Sequence, residues 1–253
     1  MKKRYKLILG TFVSFCIVTL IFIITKDRKV YYLSLGDSLA AGQTPYKTID
    51  KSYGDYFATY LDIKHLLEFY TKDFSKSGYR TIDLLNDIKN NKSIKINDKD
   101  ISIKNALIKA DIVTLSIGAN DLFYKLNFGN TLNDDTFDDI YKYVDEVIID
   151  IDKLLNELRL NCKERIMIFN FYNPFVNSND TFANMIEPVI LYANQELNKI
   201  VTKYKMDYID IHKEFLNNPD YLPKTFEIHP TKSGYEAMSN KIIELFNKNL
   251  QNS

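Results

Sequence analysis

Cysteine is scarce in this chain. Cys16 and Cys162 are the only two in 253 residues, so no disulfide framework holds the fold, and stability must come from a packed core. Glycine (8) and proline (6) are also few, and there are no repeats or long biased tracts, which argues against linkers and disorder. Neither charge sign dominates: 33 Lys and Arg balance 33 Asp and Glu, with no basic stripe to hold nucleic acid. H-E-x-x-H and paired C-x-x-C are missing, so no metal site is expected. G-x-G-x-x-G and phosphate loops are missing too, so no cofactor is expected. The G-x-S-x-G elbow fails because Ala40 stands where its second glycine belongs.

One long apolar run is present. Leu7 to Thr25 carries no charge and is about as long as a bilayer is thick. Lys2, Lys3, Arg4 and Lys6 precede it; Lys26, Asp27, Arg28 and Lys29 follow. The larger positive excess on the N-terminal side places the N-terminus in the cytoplasm and the rest outside. No small-residue cleavage pattern follows the run, which favours an uncleaved signal-anchor over a cleaved signal peptide. Cys16 lies within the run and has no lipid-attachment context. Residues 1–29 are thus read as a cytoplasmic stub, transmembrane anchor and short linker in the cell membrane. Residues 30–253 are read as one extracytoplasmic domain, large enough for a substantial core.

Within that domain, short apolar runs alternate with helical periods. Strands are expected at Val30–Leu35, Leu66–Thr71, Ile112–Ile117, Arg165–Phe171 and Met206–Ile211. Helices are expected from a cap at Thr81 through Asn86 and Ile88, and at Asp100–Ala110, Asp139–Leu160, Asn184–Tyr204 and Lys232–Asn249. The clearest is Asp139–Leu160, where Ile140, Val144, Val147, Ile148, Ile151, Leu154, Leu155 and Leu158 recur at three and four. Alternating strands and helices imply an α/β fold with a parallel sheet covered on both faces. Ligands bind such a sheet beyond the carboxyl ends of its strands.

Four segments fall at that edge. Leu35-Gly36-Asp37-Ser38-Leu39-Ala40 follows the first strand and places a serine at a tight turn. Ser77-Gly78 follows the second strand, Gly118-Ala119-Asn120-Asp121 the third, and Ile228-His229-Pro230 precedes the last helix. Serine is a weak nucleophile that needs a base and an oxyanion hole, and these segments supply candidates for both. Asp37, beside the serine, is read as a turn-bonding residue. His65 and His212 lack comparable surroundings and are read as bystanders.

At these residues the chain resembles the SGNH hydrolases, also called the GDSL lipase/esterase family. Gly36-Asp37-Ser38-Leu39 is similar to the first family block, Ser77-Gly78 to the second, Gly118-Ala119-Asn120-Asp121 to the third, and His229-Pro230-Thr231 with Gly234-Tyr235 to the fifth. The resemblance spans roughly Val30 to Asn249. It implies a three-layer α/β/α sandwich around a five-stranded parallel sheet of flavodoxin-like type. It further implies that Ser38 attacks an ester carbonyl and that His229 passes the proton to the leaving alcohol. The oxyanion would be held by the backbone N–H groups of Ser38 and Gly78 and by the Asn120 side chain. The expected substrates are small-molecule or lipid esters.

One position departs from the family. Where an aspartate usually lies three residues before the histidine, this chain has Phe226, and the nearest acid is Glu227. Either Glu227 completes a triad, or a Ser38–His229 dyad is steadied by a backbone carbonyl. Two rivals to hydrolysis stay open: acyl transfer to a sugar or lipid hydroxyl at the same site and, because of this departure, a cell-surface binding protein that has lost turnover. The loops Phe128–Phe137 and Asn173–Phe182 are read as shaping the pocket mouth.

Overall fold

A computed structural model describes residues 29–126, 139–177, 181–223 and 227–250. The apolar run at Leu7–Thr25, the mouth loop Phe128–Phe137 and Phe226 lie outside the described residues. Among the described residues no helix is long and apolar enough to cross a membrane.

The central sheet has five parallel strands: β1 (Val30–Gly36), β2 (Leu67–Thr71), β5 (Ile112–Ser116), β6 (Arg165–Phe169) and β7 (Asp207–Ile209). Their spatial order is β2-β1-β5-β6-β7. The chain thus winds outward from β1 in both directions, as a flavodoxin-like sheet does. Strand alternation splits the core into two layers. Leu33, Leu35, Val113, Leu115, Ile166 and Ile168 point to one face. Helices α3 (Thr81–Lys89), α4 (Ile103–Lys109), α6 (Ile140–Asn161) and α7 (Thr181–Lys203) cover it. Tyr32, Ile112, Met167 and Phe169 point to the other, under α2 (Tyr53–Ile63), α8 (His212–Asn217) and α9 (Lys232–Leu250). Burial on both faces is why these strands read as unbroken apolar runs.

Helix α6 buries every residue of its predicted apolar stripe, Ile140 through Leu158. Two expectations need correction. The helix expected at Asp100–Ala110 begins only at Ile103, capped by the Ser102 hydroxyl. Before it runs an antiparallel hairpin, β3 (Ser93–Ile96) with β4 (Lys99–Ser102). Its turn residues Asn97 and Asp98 both have positive φ (48° and 62°), the conformation that a tight two-residue hairpin demands. The alternation of Ile94, Ile96 and Ile101 was the missed signal. Thr81 is not the cap of α3 either. Arg80 holds that position, and Thr81 is the first helical residue, occupied with a distant partner described below.

Candidate active site

Ser38 is placed by the turn that ends β1. Gly36 has φ +138°, and a Cβ there would lie 2.0 Å from the carbonyl oxygen of Ser116 on the neighbouring strand. Only glycine lets β1 and β5 approach this closely at the turn. Asp37 then caps the one-turn helix α1 (Ser38–Ala41): its Oδ1 accepts from Leu39 N–H at 3.0 Å and from Ser116 Oγ at 3.2 Å. Tyr53 O–H donates to Ser116 Oγ in turn (3.1 Å), so the turn rests on a buried polar network. Burial pushes the Asp37 carboxyl up to about 7, against the pull of these hydrogen bonds.

His229 arrives from the other side of the sequence, between the short helical turn at Pro219–Tyr221 and α9. Its Nε2 lies 3.0 Å from Ser38 Oγ, and its Nδ1 lies 2.6 Å from Glu227 Oε1. A carboxylate only accepts, so Nδ1 carries the hydrogen, and Nε2 is left to accept from the serine hydroxyl. Glu227 reaches the ring because its carboxylate folds back over its own backbone. The same Oε1 accepts from the N–H groups of Ile228 (2.8 Å) and His229 (3.3 Å). Burial raises the Glu227 carboxyl, but the hydrogen bond to His229, the Ile228 N–H and the electrostatic attraction of the His229 ring outweigh it and hold it below its usual range.

The motif around His229 is structural throughout. Thr231 Oγ1 accepts from Gly234 N–H (3.3 Å) at the start of α9. A Cβ on Gly234 would lie 2.5 Å from the Tyr221 carbonyl oxygen, so glycine permits that contact. Tyr235 O–H donates to the Gln43 carbonyl (2.7 Å), tying α9 to the loop after Ser38.

Asn120 opens the second turn of the site, in α5 (Ala119–Lys125), after Gly118 at φ +109°. Its amide donates to the Tyr79 carbonyl at 2.9 Å, which engages one of its two N–H groups. Gly78 sits beside Tyr79 at φ +81°, with no atom within 4 Å of where a Cβ would be. Its glycine therefore serves conformation rather than crowding. The loop carrying it is stitched to β1: Lys76 N–H donates to the Gly36 carbonyl (3.2 Å) and Ser75 Oγ to the Ser34 carbonyl (2.9 Å). Ser38, Asn120 and His229 line a single cleft, and Gly78 directly precedes the Tyr79 whose carbonyl accepts from Asn120. His65 is exposed at the end of α2, and His212 is buried in a separate contact with Glu187 (2.8 Å).

Three contributors have no role assigned from the sequence alone. Asp121 Oδ2 accepts from both the N–H (2.9 Å) and the hydroxyl (3.0 Å) of Thr81, clamping α5 to the start of α3. Burial raises the Asp121 carboxyl, and its bonds to Thr81 oppose that. Tyr172 O–H donates to the Ile228 carbonyl (2.6 Å), fixing the peptide that joins Ile228 to His229. Gln43 Nε2 lies 3.5 Å from His229 Nδ1. Asp121 was legible as the fourth residue of its motif; the tyrosine and the glutamine carried no local signal.

The chain's similarities lie in the same quarter. The profile of the GDSL-like Lipase/Acylhydrolase family matches residues 34–237. No curated protein sequence matches the chain. Among solved structures, the lipase Lip_vut3 from a goat rumen metagenome is similar at 21% identity and TM-score 0.66, over 84% of this chain and 95% of that one. The extracellular lipase of Streptomyces rimosus is similar at 15% identity and TM-score 0.60, over 84% and 98%. Axe2, an acetylxylan esterase from Geobacillus stearothermophilus, is similar at 18% identity and TM-score 0.60, over 87% and 95%. At such identities the structural likeness establishes the fold, and the family match carries the chemistry: this chain belongs to the GDSL-like lipase/acylhydrolase family and is an ester-hydrolysing serine hydrolase.

Proposed function

We propose that the chain hydrolyses carboxylic esters through an acyl-serine intermediate formed on Ser38. The observation that carries this reading is the unbroken contact from Ser38 Oγ through both nitrogens of His229 to Glu227 Oε1, at 3.0 Å and 2.6 Å. Ser38 Oγ attacks the ester carbonyl while His229 Nε2 takes its proton. Glu227 holds the ring in the required tautomer and stabilises the imidazolium. The tetrahedral oxyanion is met by the N–H of Ser38, a free first-turn donor of α1, by the N–H of Gly78 and by the second N–H of the Asn120 amide. Imidazolium then gives its proton to the leaving alcohol. Water, deprotonated by the same nitrogen, releases the acid and restores Ser38.

Glu227 takes the place of the aspartate usual three residues earlier. The extra methylene of glutamate compensates for a start point one residue nearer to the histidine. The domain is read as lying outside the membrane, tethered by Leu7–Thr25, because that run is uncharged and more basic on its N-terminal flank.

Steady-state kinetics on a soluble ester test the site. Ser38→Ala and His229→Ala should each remove turnover. Asn120→Ala should lower kcat by roughly a hundredfold or more, the scale of one oxyanion donor, with little change in Tm. Full kcat in Asn120→Ala, with a lowered Tm, would make Asn120 a loop brace for Tyr79 and refute its oxyanion role.

A further inference from the structure

The cleft that begins at Ser38 does not end there. Its polar lining, Ser38, Ser116, Asn120 and His229 among it, is confined to the strand ends. The rest of the wall is hydrocarbon and is largely helical: Leu126 at the C-terminal end of α5, Val144 and Val147 of α6, and Ile186, Val189 and Ala193 of α7. No side chain that α6 or α7 contributes to this wall, among the described residues, bears a hydrogen-bonding group. The same residues belong to the buried core cluster on that face of the sheet.

An open apolar space between two core helices is costly for a fold, since the atoms around it lose packing partners. Such a space stays dry and favours apolar guests. A sugar or other polyol placed in it would lose its bonds to water and find no replacements. A hydrocarbon chain loses nothing and gains the transfer free energy of each buried methylene. The run from Ile186 to Ala193 along α7 is about 10 Å long at the helical rise per residue, far more than an acetyl group fills.

We infer that this cleft is an acyl-chain site and that the natural substrate is a fatty-acyl ester, octanoyl or longer, whose chain lies between α6 and α7 while its carbonyl sits at Ser38. The inference rests on the serine-esterase reading and gives it a substrate class. It places the acyl half of the ester in the apolar arm and the alcohol half toward His229, which must protonate it.

The test compares kcat/KM for p-nitrophenyl acetate, butyrate, octanoate and dodecanoate below their aggregation concentrations. Efficiency should rise by roughly fourfold for each methylene until the cleft is filled. Ala193→Phe puts a ring into the apolar arm and should cut the octanoate-to-acetate ratio by roughly tenfold or more. Leu191→Phe, on the exposed side of the same helix, should leave the ratio at the wild-type value. Because Ala193→Phe risks misfolding, the wild-type protein is also treated with ethyl and dodecyl fluorophosphonates. Faster Ser38 modification by the dodecyl reagent supports the acyl site. Labelling of Ser38 at rates blind to chain length, or a preference for acetate, overturns it and leaves the esterase reading standing. No adduct on Ser38 with either reagent overturns both.

Discussion

The two nitrogens of His229 face different partners, and that division sets what each neighbouring substitution does. Glu227→Gln keeps an acceptor oxygen near Nδ1 but removes the negative charge that stabilises the imidazolium. It should lower kcat by roughly a hundredfold or more while the domain stays folded, which circular dichroism and kcat measured together will show. Retention of most activity would leave a Ser38–His229 dyad. Asp37 makes a prediction of opposite character, about stability. In the folded chain its carboxyl keeps its proton up to about pH 7, whereas in the unfolded chain it loses it near the usual carboxylate value of about 4. Between these values the native state binds more protons than the unfolded state. This group's contribution therefore weakens the fold as pH rises across that window and is constant above it. Asp37→Asn keeps the acceptor for Leu39 and Ser116 and removes the titration. Its Tm relative to wild type should climb from pH 4 to pH 7 and then level off; a Tm difference that does not change with pH would refute the buried-acid account.

The turns after the strands decide the site's geometry at the next scale up. Gly36 and Gly78 both have positive φ, but only Gly36 also lacks room, with the Ser116 carbonyl oxygen 2.0 Å from a built Cβ. Gly36→Ala should therefore abolish folding or depress Tm severely. Gly78→Ala should cost only the backbone strain of about 1–2 kcal/mol. Thermal melts of the two variants separate crowding from conformational strain. Sequence reading served best where the determinants are local. The stripe of α6 is legible because eight residues repeat at helical spacing, and Gly36-Asp37-Ser38 is legible because turn, cap and serine are consecutive. It failed at the β3–β4 hairpin, because β4 runs straight into α4 at Ser102–Ile103, so that the apolar residues of strand and helix follow one another without a break. It could not reach Asn120 on the Tyr79 carbonyl, Asp121 on Thr81 or Tyr172 on the Ile228 carbonyl, because these partners lie 40 to 56 residues apart. Only the winding of the sheet brings them together.

At the scale of the whole molecule, one sheet edge gathers Ser38 after β1, the Gly78 loop after β2, Asn120 after β5 and His229 before α9. The strand order places β1 beside β5, so the first and third motifs meet without any motion of the chain. Glu227 occupies the position that the Phe226 departure left open, and family membership sets aside a purely binding role. If Leu7–Thr25 anchors the chain with its domain outside, protease added to intact cells should release an active fragment of nearly full domain size. Activity reached only after lysis would reverse that orientation. The central claim is that Ser38 is activated by His229, and its most direct measurement is peptide mapping by mass spectrometry after treatment with a fluorophosphonate. The predicted result is a single adduct, on Ser38, that disappears in His229→Ala. An adduct on another residue, or labelling of Ser38 that persists without His229, would contradict it.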